Sequence, residues 1–266
     1  MIPISPRPYF AFSFLIAVLS LSGATPADSA MAGEALKTLP SIEKALQLSP
    51  GQASSVALEV RTHHDLILVR REQLKVSRKV RNHFEKAIKG ANKKLEKGEG
   101  EVTQSALTKL KLGLAGSLND ISQFQSDIAL AQLHLEKILD IRWAESLDIS
   151  GPKLKPEDFP YKSLADYIAI EPSRVSSSLK ADEFNLKVAM VAVNKARDQL
   201  ELARKSRKMT RALLVTEVAN YDFGIGNEGD LFEALMIYTQ VLVGYYDAIH
   251  NFNVSVYRIR SLAGKK

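Results

Sequence analysis

The five histidines carry the widest chemical range in this sequence, because imidazole can be a metal ligand, a general acid or a general base near neutral pH. His63 and His64 are adjacent, so a helix would point them to different faces, while His83, His134 and His250 stand apart. No His-x-x-x-His pair sets two imidazoles on one helical face, and His134 and Glu136, two apart, diverge. Ordinary surface or seam positions are the expected role of all five. There is no cysteine, hence no thiolate ligand, disulfide or lipid-modified cysteine. Gly224, Ile225, Gly226 and Gly229 lack the preceding strand that a phosphate-binding loop requires. No Gly-x-Ser-x-Gly elbow supports a hydrolase. The expectation is a non-enzymatic protein with no catalytic, cofactor-binding or metal-ligating residue.

Two other groupings of residue types invite a binding role. Arg70, Arg71, Lys75, Arg78, Lys79, Arg81, Lys86, Lys89, Lys93 and Lys94 make one stretch basic, and Arg204, Lys205, Arg207, Lys208 and Arg211 echo it. Interleaved with Glu72 and Glu85, these read first as solvated helix faces, on which Lys93 and Arg207 are expected to lie; peripheral contact with an anionic membrane surface or an acidic partner is the alternative. Tyr238, Tyr245, Tyr246, Phe252 and Tyr257 form an aromatic strip whose heptad spacing favours core packing over ligand binding.

The elements that carry these residues follow from an internal repeat. Ser41, Ile42, Leu46, Leu48 and Pro50 are matched 122 positions later by Ser163, Leu164, Ile168, Ile170 and Pro172, and Ser54 and Ser55 by Ser176 and Ser177. At an offset of 124, Gly100 falls on Gly224, Leu107 on Leu231, Leu114 on Tyr238, Leu118 on Leu242, Ile128 on Phe252 and Leu135 on Ile259. Leu107, Leu114, Ile121, Ile128 and Leu135 recur every seven residues, as do Leu231, Tyr238, Tyr245, Phe252 and Ile259. That period belongs to a helix with an apolar seam, and a second line beside the first runs through Leu110, Leu118, Phe124, Ala131 and Ile138. Each seam needs a partner, and the proline-free stretches Gln52 to Leu95 and Ser173 to Tyr221 supply it, with Gly90 the expected place for a kink.

Glycines at 98, 100, 224 and 226 reverse the chain between the long helices, with Thr103 and Asp230 as expected N-caps and Glu233 completing a capping box with Asp230. Pro152, Pro156 and Pro160 break the pattern and join the two halves. The predicted fold class is therefore all-α: two tandem repeats of a long antiparallel, coiled-coil-like helical hairpin, with no β-barrel and no β-sheet. Residues 31–150 form the first hairpin, 151–160 the proline-rich linker and 161–266 the second.

The N-terminus reads as a signal peptide over residues 1–30, with Arg7, an apolar run from Tyr9 to Leu21, and small residues through Ala32. Cleavage after Ala24 and cleavage after Ala32 both satisfy the pattern. The run is shorter than the roughly twenty residues a spanning helix needs. Export into the periplasm is the expected destination, which makes nucleic acid an improbable partner.

From Tyr221 onward the sequence resembles the TolC-like outer-membrane efflux family, through Asp222, Phe223, Gly224, Ile225 and Gly226, then Asp230, Leu231, Glu233, Ala234 and Leu235. The resemblance continues at Tyr238, Tyr246, Ala248, Asn253, Val254, Ile259, Leu262, Ala263 and Gly264, and is echoed by Gly98, Gly100, Val102, Thr103 and Leu107. It implies an internally duplicated efflux protein, a homo-oligomer of three copies, association with the outer membrane, and end-on contact with a periplasmic adaptor protein of an export pump. The docking turns would be those at Gly98, Gly100 and Thr103 and at Gly224, Gly226 and Asp230. Family members insert two β-strands in each repeat, whereas Pro50 to Gly100 and Pro172 to Gly224 are helical in pattern throughout. The likeness is thus to the helical part, and the expected role is a structural or docking component of an efflux or secretion assembly. The alternative is a secreted helical bundle that holds anionic lipid or an acidic protein through its basic helices.

Overall fold

The computed structural model describes residues 35–49, 53–98, 102–170 and 179–264. The signal segment, Gly100, Pro50, Pro172 and the start of the second long helix at Ser173 lie outside the described residues.

The chain runs β1 (Leu36–Thr38), α1 (Ile42–Leu48), α2 (Ser54–Lys97), α3 (Gln104–Leu139), β2 (Trp143–Asp148), α4 (Leu164–Ile170), α5 (Leu179–Asp222) and α6 (Glu228–Leu262). The all-helical expectation holds for the bulk, and among the described residues there is no closed barrel. At 44 residues each, α2 and α5 are about 65 Å long at 1.5 Å per residue. Helix α2 runs unbroken through Gly90, with no strand inserted.

Local chemistry explains where the helices stop and start. Gly98 takes φ 65° and closes α2, its N–H donating to the Leu95 and Lys94 carbonyls, with Lys94 and Lys97 at the negative end of the helix dipole. Thr103 caps α3 as expected, accepting from Ala106 N–H at 3.0 Å. Asp230 does not cap α6. Asn227 does, its side-chain oxygen accepting from Gly229 and Asp230 N–H at 2.8 and 3.0 Å, because the chain leaves the reversal three residues earlier than the spacing suggests. Asp230 instead sits in the first turn beside the helix dipole, so the capping box with Glu233 does not form.

The expectation of no β-sheet is corrected by a two-stranded parallel sheet pairing β1 with β2, Leu36 opposite Trp143 and Thr38 opposite Asp148. Strands this short carry no readable alternation. Trp143 holds the join, its indole N–H donating to the Gln132 carbonyl at 2.9 Å and its backbone N–H to Glu136 at 3.2 Å.

The long helices pack as an open array in which α2 contacts α3 and α6, and α6 contacts α2, α3 and α5. Helices α2 and α6 are therefore central, and α3 and α5 form the edges. One apolar cluster, with Val80, Phe84, Leu110, Leu235 and Leu242, joins α2, α3 and α6 towards the turns. Another, with Leu39, Ile67, Phe124, Ile128 and Leu135, lies towards the sheet, and a third, with Leu186, Val193, Phe252, Val256 and Ile259, unites α5 and α6.

The α6 seam is buried at every expected position, from Leu231 through Ile259. On α3 the second line is shifted: Leu118 is 48% exposed, and Ser117, in register with Leu110 and Phe124, faces inward. Seven-residue spacing from Leu110 lands on 117, so the polar residue there hides the true line.

A polar spine crosses the α2–α6 contact. Arg70 pairs with Asp127 of α3 at 2.7 Å and Asp247 of α6 at 3.0 Å, and fully buried Gln73 donates to the Val243 carbonyl at 3.0 Å and to Asp247 at 2.8 Å. Asp65 accepts from Asn253 and meets His250, both at 2.7 Å. Arg71 also turns inward, to the Ile149 carbonyl. These two arginines thus depart from the solvated face expected of them; Lys75, Lys86, Lys89 and Lys93 keep to it.

Candidate docking site

The turn after α2 and the turn before α6 lie side by side at one end of the array. Lys94, in the last turn of α2, pairs with Glu228, in the first turn of α6, at 3.1 Å, and rides 5.2 Å above the Tyr221 ring. Tyr221 donates to the Ala87 carbonyl at 3.3 Å, and Lys86 pairs with Asp222 at 2.8 Å. Burial, then the nearby Glu228 carboxylate, pushes the Tyr221 phenol up to about 12, so it stays a neutral donor. These links fix the α5–α6 reversal against α2.

Of the residues expected at the docking turns, Gly98 and Gly224 take positive φ, 65° and 73°, as chain reversals require. Gly226 is not in that region; its N–H and that of Ile225 both donate to the Asn220 carbonyl, at 3.0 and 2.9 Å. Thr103 and Asp230 are both helix-start residues near the tip, and Gly100 lies outside the described residues.

The tip is dominated by side chains rather than glycines. Phe223 and Ile225 flank Gly224 and are each 80% exposed, a large apolar pair held out into solvent by a pinned turn. Nothing in their own spacing separates them from seam residues; adjacency to a reversal glycine is the sequence signal that turns them outward. Beside them runs a groove of about 460 Å³ with Glu217, Asp230 and Glu233 on its walls, so the apolar tip has an acidic flank.

The histidines are dispersed. His63 stacks on His134 with centroids 4.5 Å apart, His64 meets the Pro40 carbonyl at 2.9 Å and His250 meets Asp65. Among the described residues no three His, Asp or Glu side chains converge into a group that could hold a metal ion. No described helix is long and apolar enough to cross a membrane.

The edges of the array are the other notable surface. On α5, Val188, Leu202 and Met209 share one heptad line, with Phe184 and Val191 on the line beside it, and Phe184 is 75% exposed. On α3, Leu112, Leu130 and Leu133 face outward. Solved outer-membrane channels share this fold. The Campylobacter jejuni CmeC outer membrane channel superposes with a TM-score of 0.59 at 12% identity, over 79% of this chain and 62% of that one. The outer-membrane channel OprN superposes at 0.57 and 12% identity, over 85% of this chain and 69% of its own, and CusC at 0.52 and 13%, over 79% and 77%. This chain therefore spans somewhat less than two thirds of the length of CmeC. No protein-family profile matches the sequence, and no characterised protein matches it by sequence.

Proposed function

We propose that this chain is a non-catalytic, exported subunit of an efflux or secretion assembly, built from two related helical hairpins corresponding to the helical part of a TolC-like channel. It would reside in the periplasm in association with the outer membrane. The observation that carries this reading is the open four-helix array whose two edge helices both expose apolar side chains.

Large apolar patches on a folded protein mark contact surfaces. Edges α3 and α5 are different surfaces, so joining edge to edge is a head-to-tail contact, which closes into a ring when the rotation between copies permits. Three copies is the number the family resemblance implies. The paired turns, with Phe223 and Ile225 projecting and Glu217, Asp230 and Glu233 alongside, form the end-on surface for a periplasmic adaptor protein, whose complementary face would be apolar with basic neighbours.

Sedimentation equilibrium of the signal-free protein tests the reading. The full chain weighs 29.4 kDa, and the proposal expects about three times the mass of the mature chain. A monomer at every concentration would remove the ring and, with it, the structural role.

A further inference from the structure

Two adjoining clefts of about 400 and 450 Å³ open between α5, α6, α2 and the linker, and they share Arg207 and Tyr245 in their walls. We propose that they form one binding site for a compact polyanion bearing phosphate groups, centred on Arg207. This goes beyond the assembly role and does not depend on ring formation.

Arg207 is placed for this task by its neighbours. Its guanidinium lies 4.6 Å from the centroid of the Tyr245 ring, which holds the plane of the fork in place from one face. Its Nε is buried yet has no hydrogen-bond acceptor among the described residues. A buried N–H without an acceptor is costly, and an oxyanion in the cleft would supply the missing partner.

The charge around it is one-sided. Arg204, Lys208 and Arg211 line the first cleft, and Lys153 and Lys155 approach the second from the linker. None of these forms an ion pair among the described residues. The one acid in the two linings, Glu72, is already engaged by Arg71 and Lys75, each at 2.9 Å. Crowding uncompensated cations around a concave wall raises the local positive potential, and a multiply charged anion relieves it far better than a single carboxylate. Tyr246, Leu154 and Ile249 add an apolar margin, so the same phosphate chemistry could come from a soluble phosphorylated molecule or from an anionic lipid headgroup.

The test uses the whole mature protein at about physiological ionic strength, where diffuse surface attraction is screened over ~8 Å. Isothermal titration with inorganic tripolyphosphate forms one arm, and co-sedimentation with phosphatidylglycerol vesicles the other. Arg207→Gln should weaken binding by roughly tenfold, as loss of a charge-assisted contact does. The double variant Lys153→Gln/Lys155→Gln changes only exposed linker side chains, and should weaken binding several-fold with an unaltered circular dichroism spectrum. Lys89→Gln/Lys93→Gln, equal in charge but on the outer face of α2, should leave binding within about twofold. Tripolyphosphate binding with this pattern assigns the site to a soluble anion, and vesicle binding alone with this pattern assigns it to a headgroup. Absence of binding in both arms overturns the site, as does equal loss in the cleft and outer-face variants. Sedimentation of the same samples reports assembly separately, so failure of the ring and failure of the site are distinguishable.

Discussion

The ring of Phe84 occupies the space that a side chain at Gly113 would need: a Cβ built there comes well inside van der Waals contact distance of three ring carbons. Phe84 is fully buried, and Gly113 lies one turn along α3 from Leu110 in the same contact. Glycine in mid-helix normally costs about 0.5–1 kcal/mol relative to alanine, so on propensity alone Gly113→Ala should stabilise. Overpacking a filled core costs about 1–3 kcal/mol, and here it should win. Gly116, one turn on, has open space around its would-be Cβ, so Gly116→Ala should gain the propensity term. Urea melts of the two variants should shift in opposite directions.

Seam truncations should separate from face truncations. Ile128 and Phe252 are 7% and 5% exposed, in separate apolar clusters. Ile128→Ala should cost about 2–5 kcal/mol and Phe252→Ala about 3–5, through lost transfer energy and the cavity left behind. Lys93→Ala should stay within about 0.5 kcal/mol. Arg207 does not belong with Lys93, because it is half-buried and stacked on Tyr245, and its truncation should register above that limit. Denaturant melts showing the seam variants to be as mild as Lys93→Ala would contradict the core assignment.

Stability should fall as pH drops below about 6.5, the ordinary imidazole value. Burial holds His63 below that value, and stacked His134 adds repulsion; burial also lowers His64, only partly offset by the Pro40 carbonyl. A histidine whose folded pKa is depressed binds its proton more readily in the unfolded chain. Its contribution is therefore fully present above the unfolded pKa and is lost as pH falls through that value towards the folded one. Midpoints measured between pH 7.5 and 5 should decline, and His63→Gln should flatten the decline. A midpoint independent of pH across that window, or an undiminished decline in the variant, would contradict the assignment.

Much of the fold was legible because it rests on one signal, apolar residues at heptad spacing, which Leu231 to Ile259 carry without interruption. The reversal glycines 98 and 224 were legible for a similar reason, since few other residues tolerate positive φ. The sheet was not, because Leu36–Thr38 is three residues whose pairing with Trp143–Asp148 is a long-range event. The polar spine was equally hidden. Arg70 and Arg71 stand in a run of cations that looks like a solvated face, and only the arrival of Asp127, Asp247 and the Ile149 carbonyl makes them interior. At the tip, the glycines announced a turn, but what the turn presents is Phe223 and Ile225.

The most direct test of the ring is which edge meets which. The chain has no native cysteine, so any thiol cross-link reports only on introduced positions. Leu133 on α3 and Leu202 on α5 are 59% and 63% exposed, and a flexible bis-maleimide can bridge cysteines placed there across a helix–helix contact. In a head-to-tail ring, Leu133→Cys alone and Leu202→Cys alone should remain single chains on a denaturing gel, because each cysteine faces an edge without one. The double variant should give a ladder that ends at three chains. Dimers from either single variant, or no cross-link in the double variant, would contradict the ring.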